Sequence, residues 1–404
     1  MHTPAYLDSP YSWKRLAISL LIATIANVGM WSIILIMPEV QAEFGIDRAD
    51  ASIPYTLTMA GFAAGNLFIG RAVDRFGITI ALIGAATTLG LGYAVASVAT
   101  SVAFLSAAQV AIGFGSAASF GPLVADISLW FKRRRGIAVG IAASGNYLAG
   151  AIWPVVLHTI QAGSGWRSVY LTIAVIVVAS VVPLALLLRR RVPASAAGAT
   201  HPAATAAEPP VAFSPRVLQW MLALAGVGCC VAMAMPQVHI VSLCVDLGFG
   251  PAVGAEMLSL MLLGGVASRL LSGLVADKLG GVLTLLIGST LQCIALFLYL
   301  PYDGLVSLYL VSLVFGLSQG GIVPSYALIV REYMPANEAG ARIGFVIMAT
   351  VVGMALGGWM SGWIFDATGS YRMAFINGIA WNMLNIAIIA TIFLRSRRGR
   401  AVTA

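Results

Sequence analysis

Twelve long apolar runs follow one another along the chain, and no other feature limits its possible folds as strongly. Each run is close to the length of about 20 residues that an α-helix needs to cross the hydrocarbon core of a bilayer. Lipid offers no hydrogen-bond partner to a backbone amide, so runs of this length must form helices. We predict membrane spans 1 to 12 at residues 16–37, 52–70, 78–98, 102–130, 136–158, 167–188, 217–241, 252–274, 281–300, 305–330, 341–365 and 372–394.

The scarcity of charge supports an all-α membrane protein. Hydrophobic residues make up 60% of the chain and charged residues only 9%, whereas a soluble domain carries about 25% charged residues. The four cysteines all lie in apolar runs without metal-ligand spacing, so we interpret them as small hydrophobic residues. The sequence contains no phosphate-binding loop and no catalytic motif. We therefore expect neither an enzyme nor an ATP-driven pump, and no metal or cofactor.

Basic residues are divided unequally between the two membrane faces. With twelve spans both termini share one face, which receives 19 of the 23 lysines and arginines. The opposite face receives Arg48, Arg167 and Arg372, and Arg269 lies inside a span. Because basic residues favour the cytoplasmic side, we predict cytoplasmic termini, in a multi-pass protein of a bacterial inner membrane. We expect a monomer whose basic residues contact anionic lipid, not nucleic acid.

The twelve spans fall into two groups of six that resemble each other. An Ala-, Pro- and Thr-rich interval separates them, which predicts bundles at 1–190 and 216–404 joined by a linker at 191–215. The motif GRAVDRFG after span 2 recurs as GLVADKLG after span 8, at an offset of 203 residues. Gly113 and Gly316 are related by the same offset. A parallel repeat predicts two bundles with a site between them near the membrane midplane.

These motifs resemble the loop signature of the major facilitator superfamily, and the resemblance extends over essentially the whole chain. The segment WFKRRRGIAVGIAASG at 130–145 and an arginine in span 8 more narrowly resemble the monocarboxylate porters and their oxalate/formate antiporter relatives. The resemblance implies twelve helices in two six-helix bundles that transport by alternating access. It also implies conformational latches in the two loop motifs, at Gly70, Asp74, Arg75, Gly77, Gly273, Asp277 and Lys278.

Arg269 is the one basic residue deep inside a predicted span. It precedes Asp277 by eight residues, roughly 12 Å of helix. An arginine at the centre of a membrane helix costs about 2.5–3.5 kcal/mol, which indicates a wet cavity and a function. Guanidinium groups bind carboxylates through two parallel donors, and the resemblance implies the same role. We predict that Arg269 binds the carboxylate of a transported anion; the alternative is a structural pair with a buried acid or with helix carbonyls.

The chain departs from both groups of relatives. Animal monocarboxylate carriers have an acid one turn before this arginine, where this chain has Gly265, and a lysine in span 1, which is uncharged here. Oxalate/formate antiporters add a basic residue in span 11, and 344–363 contains none. Because one fixed cation suits one carboxylate, we favour a small organic monocarboxylate over oxalate.

Two titratable residues inside spans are candidates for proton coupling. His239, in the outer part of span 7, belongs to the residue type that changes charge near neutral pH; its alternative is an interfacial histidine bonded to backbone. Asp126 in span 4 could relay protons, or could belong to a structural network with Arg75, as the resemblance implies. Proton symport is the leading coupling, and exchange of one anion for another is the second.

Seven polar side chains inside spans could form hydrogen bonds with the substrate, alongside Arg269 and His239. The alternative is that they link helices to one another. They are Asn27, Ser119, Asn146, Tyr147, Gln319, Tyr326 and Asn382. Phe120, Trp359 and the methionines are predicted to be packing residues. Two further functions stay open: an exporter of lipophilic compounds, and a membrane-embedded sensor that binds without transporting.

Overall fold

A computed structural model describes residues 7–190, 213–301, 303–335 and 338–402. Within these ranges the chain is almost entirely helical and contains no strand. The predicted linker lies almost wholly outside the described residues. The helices are α1 Pro10–Ala26, α2 Val28–Phe44, α3 Arg48–Phe76, α4 Ile78–Ala96, α5 Val102–Ser116, α6 Gly121–Ser128, α7 Arg135–Leu187, α8 Pro215–Asp246, α9 Pro251–Leu298, α10 Leu305–Gln319, α11 Ile322–Tyr333, α12 Ala339–Thr368 and α13 Tyr371–Val402.

These helices form twelve membrane-crossing segments in the described chain, in the predicted order. Nine helical stretches are long and apolar enough to cross a bilayer. Two of them, α7 and α9, each contain a break at a glycine with positive φ, Gly165 (φ 73°) and Gly280 (φ 78°), and therefore supply two spans each. Helix α3 also crosses, although the charged residues at its ends lower its hydropathy. Span 1 consists of α1 and α2, span 4 of α5 and α6, and span 10 of α10 and α11.

One face of the molecule carries the basic loops, and we call it the basic face. Arg15 near the start of span 1 donates to the carbonyls of Leu188 and Arg190, which follow span 6. The Asp8 carboxylate accepts the backbone N–H groups of residues 132–134, before span 5. Partial burial raises the pKa of Asp8, but these donors outweigh it and hold the pKa below its ordinary value.

The repeat is visible in helix packing. A Cβ atom added at Gly113 in span 4 would lie 2.0 Å from the carbonyl oxygen of Thr58 in span 2. One added at Gly316 in span 10 would lie 2.0 Å from the carbonyl oxygen of Met261 in span 8. Thr58 and Met261 are themselves 203 residues apart. Each half therefore uses a glycine at the same place to bring two helix backbones together, a common device in membrane bundles.

We expect Gly316→Ala to lower the stability of the protein. The added methyl group must push spans 8 and 10 apart, and overpacking of this kind typically costs about 1–3 kcal/mol. Thermal unfolding of the purified protein in detergent measures the loss. Gly84→Ala is the matched control, because nothing lies within 4 Å of a Cβ atom at this helical glycine. Equal melting temperatures for the two variants would contradict the close packing.

The two bundles meet mainly along spans 2 and 11 and along spans 5 and 8. The repeat relates these two pairs of spans to each other. Three spans are interrupted within the membrane: span 1 at Asn27, span 4 at the 3₁₀ turn Ala117–Ser119, and span 10 at Gly320. The bundles are closed against each other at the face opposite the basic face and diverge toward the basic face. This arrangement leaves a cavity between them.

Candidate functional site

A cavity with a volume of about 3280 Å³ lies between the bundles. Its mouth is at the basic face, where it is lined by Arg71, Arg190 and Arg331. Its inner end is lined by residues from the middle of the spans, among them Met30 and Met354. A solute on the basic face can therefore reach the interior of the membrane region.

Arg269 lines this cavity and is half-buried. Its Nη1 donates to the Ala143 carbonyl at 2.6 Å, and its Nε donates to the Gly320 carbonyl at 3.3 Å. The guanidinium carbon lies 4.3 Å from the centre of the Tyr147 ring. All three partners are uncharged, and Arg269 forms no ion pair with a carboxylate of the described residues. The positive charge of Arg269 is therefore not neutralised by any described residue.

Small residues create the place that Arg269 occupies. A Cβ atom at Gly320 would lie 2.3 Å from the Gly265 carbonyl oxygen and 2.6 Å from the Arg269 nitrogen, so span 10 approaches span 8 only because residue 320 is glycine. A Cβ atom at Gly265 would lie 3.3 Å from the Tyr147 ring. Arg269 is thus held where spans 5, 8 and 10 meet, with its guanidinium group directed across the boundary between the bundles.

Two of the predicted polar residues join Arg269 in the cavity, Asn146 and Tyr147. The backbone oxygen and the Oδ1 atom of Asn146 both accept the indole N–H of Trp31, at 3.1 Å each. Trp31 belongs to span 1 and Asn146 to span 5, so this bond fixes one wall of the cavity. The structure therefore brings three of the predicted site residues together.

The other five predicted polar residues are buried within the bundles and do not line the cavity. The side chains of Gln319, Tyr326 and Asn382 link different helices, whereas those of Asn27 and Ser119 bond to a carbonyl of the preceding turn in their own span. Asn27 donates to the Ala23 carbonyl, Ser119 to the Ser116 carbonyl, Tyr326 to Asn385 and Asn382 to the Ser289 carbonyl, while Gln319 accepts from Gln237.

A cluster at the opposite face closes the cavity, and we call it the gate: Arg48, Asp246, Asp366 and Tyr371. Arg48 in span 2 donates to the Tyr371 hydroxyl at 2.6 Å and to the Asp246 carboxylate at 3.1 Å. The backbone N–H groups of Arg48 and Ala49 donate to the Asp366 carboxylate at 2.9 and 2.6 Å. Arg48 comes from the first bundle and its partners come from the second, so these bonds join the bundles.

His239 belongs to the surroundings of the gate and does not line the cavity. Its Nε2 lies 2.7 Å from the Gly358 carbonyl oxygen, and its Nδ1 lies 3.1 Å from the Tyr371 hydroxyl. A carbonyl only accepts, so Nε2 carries the hydrogen. Nδ1 of a neutral imidazole then accepts from Tyr371, whose oxygen accepts from Arg48. The geometry fits a neutral histidine that is connected to the gate by one hydroxyl group.

Asp126 pairs with Arg15, and the predicted pairing with Arg75 is wrong. Arg15 is buried and donates through Nε and Nη2 to the two carboxylate oxygens of Asp126, at 2.7 and 2.9 Å. Span 1 packs against the end of span 4, so the Arg15 guanidinium reaches Asp126. A buried cation such as Arg15 requires a counter-charge, which Asp126 supplies. Arg75 instead lies over the ring of Phe76. With both oxygens engaged, Asp126 has the contacts of a structural ion pair.

The residues of the two loop motifs lie at the basic-face ends of spans 2 and 8. Gly77 and Gly280 hold corresponding turns with φ angles of 87° and 78°, which favour glycine. Asp277 and Lys278 are exposed. Gly70, Arg75 and Gly273 lie in the helices that precede the turns, and the side chain of Asp74 lies outside the described residues. The latch role of these motifs stays a prediction.

Several residues that the sequence predicted as packing line the cavity instead. Met30, Met348, Met354 and Phe120 are half-buried, and their accessible parts face the cavity. Hydropathy places such residues in spans but does not show which side of a helix they occupy. A methionine whose neighbours in sequence are also apolar carries no signal that would separate a cavity wall from a core.

Comparison with known proteins agrees with this architecture. The family model of the Major Facilitator Superfamily matches residues 19–341 and 240–404. Monocarboxylate transporter 13 of Bos taurus is 26% identical over 340 residues, which cover 80% of this chain and 76% of the bovine protein. The agnestins efflux protein AgnL12 of Paecilomyces divaricatus is 23% identical over 372 residues, which cover 90% of this chain and 83% of the fungal protein.

A crystal structure shows the same fold. It is that of a bacterial homologue of the human lysosomal transporter Spinster, in an inward-facing and occupied conformation. The two chains align with a TM-score of 0.72 at 14% sequence identity, covering 96% of this chain and 98% of the other. The matched family model, the repeated six-span halves and the central cavity lead to one conclusion: the chain is a multi-pass membrane transporter, not an enzyme, and it belongs to the major facilitator superfamily.

Proposed function

We propose that the protein is a secondary active transporter of an organic monocarboxylate. The observation that carries the proposal is the charge of Arg269, which no described residue neutralises, inside a membrane cavity open to water. Burying a charge without a counter-charge is costly, and a carboxylate from the solute would supply one. The relatives named monocarboxylate transporters are consistent with this substrate class.

The charge at the cavity mouth supports an anionic substrate. Six arginines and three acidic residues line the mouth; Arg15 and Asp126 neutralise each other, which leaves five arginines against two acids. A cleft lined by one sign of charge raises the local concentration of the opposite ion. The arginines are Arg15, Arg71, Arg133, Arg134, Arg190 and Arg331, and the acids are Asp126, Asp277 and Glu332.

Transport would proceed by alternating access. The described conformation exposes Arg269 to the basic face while the gate is closed; the reverse conformation would open the gate and close the cavity mouth. The distribution of basic residues favours a cytoplasmic basic face. A monomer holds the complete cavity, since both of its walls come from one chain.

His239 is our candidate for the coupling proton. It bonds to the gate through the Tyr371 hydroxyl, which accepts from Arg48, and Arg48 also pairs with Asp246. Opening the gate would remove the Arg48–Tyr371 bond and admit water to the imidazole. Because histidine changes charge near neutral pH, His239 could then take up a proton from the opposite face and release it as the gate closes.

Uptake into proteoliposomes tests the transport function. Vesicles containing the purified protein are given radiolabelled benzoate or lactate, with and without a pH gradient, and with and without the same acid inside. Accumulation that follows the pH gradient supports symport, and uptake that requires internal acid supports exchange. Uptake no faster than in protein-free vesicles, for every monocarboxylate tried, would exclude the proposal.

We expect His239→Gln to lose gradient-driven accumulation while it retains exchange of labelled for unlabelled acid. Glutamine keeps a donor for the Gly358 carbonyl but cannot bind a coupling proton. Accumulation is measured at matched protein density with a tenfold proton gradient. His158→Gln is the control, because His158 lies outside both the cavity lining and the gate. A variant that still accumulates acid as wild type does would remove His239 from the mechanism.

Export of lipophilic compounds is the second candidate, favoured by the apolar inner end of the cavity and by the relative named an efflux protein. An exporter of uncharged compounds would work without Arg269. The substitution of this residue described in the Discussion therefore separates the two candidates.

A further inference from the structure

The inner end of the cavity combines one cation with apolar walls. Met30 comes from span 1, Phe120 from the break in span 4, and Met348 and Met354 from span 11. All four are half-buried and line the cavity, as does Arg269. Methionine is flexible and polarisable, so methionine-lined walls adapt to bulky apolar ligands and make favourable contacts with aromatic rings.

Several polar groups in this part of the cavity are engaged with the protein itself. The Thr350 hydroxyl donates to the Ile347 carbonyl, and the Asn66 amide donates to the Phe62 carbonyl. The Oδ1 atom of Asn146 accepts from Trp31. A hydroxyl or second carboxylate on the substrate would give up its bonds to water and find few replacements, which is unfavourable. An apolar body would gain from the same surroundings.

All charged lining residues other than Arg269 lie near the basic-face ends of their helices, at the mouth. The inner end therefore offers a single charged anchor within the described residues. A dicarboxylate would have one anion without a partner there, and a zwitterion would have an ammonium group beside an arginine.

We propose that the substrate is an amphipathic monocarboxylate with a bulky apolar or aromatic body, such as an arylalkanoic acid, and not a small hydroxy or keto acid. The carboxylate binds Arg269, and the body packs against the methionine and phenylalanine side chains of spans 1, 4 and 11. This inference rests on the proposed function, because it assigns Arg269 the role of carboxylate anchor.

A thermal-shift titration of the purified full-length protein tests the substrate class. The probes are 3-phenylpropionate, propionate, lactate, malonate and the uncharged 3-phenylpropionamide, at one pH and one ionic strength. We expect the half-saturating concentration of 3-phenylpropionate to be at least about 30-fold lower than that of lactate, from burial of the phenyl ring. Malonate and the amide should bind more weakly than 3-phenylpropionate.

A polar substitution in the wall gives a second readout. Met354→Gln preserves most of the side-chain volume and should reduce the preference for 3-phenylpropionate over propionate by about tenfold. Met373→Gln is the control, because Met373 is an exposed residue of span 12 outside the cavity lining. An unchanged preference in Met354→Gln would contradict packing of the body against span 11.

The outcomes separate this inference from the proposed function. Lactate that binds as tightly as 3-phenylpropionate, with loss of both in Arg269→Gln, overturns the inference and leaves the monocarboxylate transporter intact. If 3-phenylpropionamide binds as tightly as 3-phenylpropionate, Arg269 is not a carboxylate anchor, and both the substrate class and the proposed function are overturned. Failure of every monocarboxylate to bind has the same consequence.

Discussion

Arg269→Gln should abolish carboxylate binding and transport while the protein remains folded in the membrane. The substitution removes the counter-charge for a desolvated anion, and truncating one partner of such a hydrogen-bonded pair costs about 2–5 kcal/mol. This corresponds to a loss of affinity of about 30-fold to several thousand-fold. Folding should survive, because the described partners of the side chain are two carbonyls, those of Ala143 and Gly320, and the Tyr147 ring, and the substitution takes a charge out of the membrane.

The measurement is initial uptake of labelled acid at matched protein density, together with the thermal-shift titration. Arg269→Lys should also be severely impaired, because an ammonium keeps the charge but loses the planar pair of donors. Arg331→Gln is the matched control, since it removes an exposed arginine of the cavity mouth; we expect it to slow uptake modestly at low salt only. Wild-type uptake by Arg269→Gln would leave an exporter of uncharged compounds as the better description.

Arg48→Ala should shift the protein toward conformations with an open gate. The substitution removes the bonds to Tyr371 and Asp246, and it removes the guanidinium that lies 4.8 Å from the centre of the Phe365 ring. Asp246, the partner left behind, is accessible to water, so the cost of its lost bond should lie below the ~3–5 kcal/mol of a fully buried ion pair. A change of that size in the equilibrium between two conformations reverses their populations unless the closed state is preferred by more.

Distances between spin labels across the gate measure the shift. Thr100 and Ser370 are exposed in loops on the opposite face, one in each bundle. Labels at these two positions, in a variant whose four native cysteines have been replaced, would measure the distance between the bundles. Arg48→Ala should add a population at longer distance. Arg372→Ala is the control, because Arg372 is the exposed neighbour of Tyr371 on the same face. Identical distance distributions for Arg48→Ala and wild type would show that other contacts hold the gate closed.

The fold could be predicted almost completely from the sequence, because lipid imposes a simple rule on the backbone. Each apolar run corresponds to a span in the structure, and the two loop motifs end in the turns at Gly77 and Gly280. The interruptions within spans 1, 4 and 10 were not predicted. They lie among apolar or small residues whose hydropathy is the same whether the helix continues or breaks, as at Gly320 and Gly321.

The candidate site was only partly predictable, since a sequence gives the depth of a residue in the membrane but not its direction around the helix. Arg269 was found because a charge at that depth is rare. Asn382 and Tyr326 lie in spans as expected, yet face the interior of their own bundle. The gate was missed because Arg48 was counted as a loop residue, and its partners, Asp246 and Tyr371, lie far from it in sequence.

The bond between Arg269 and the Ala143 carbonyl has a consequence for the unloaded carrier. Ala143 belongs to the first half of the chain and Arg269 to the second, so a backbone oxygen serves as a surrogate ligand when no acid is bound. With this ligand in place, the carrier can pass through the occluded state without substrate, because a hydrogen-bond donor of Arg269 keeps an acceptor in a medium of low dielectric constant. Net flow of acid in one direction, with no anion travelling back on each cycle, is therefore compatible with this architecture.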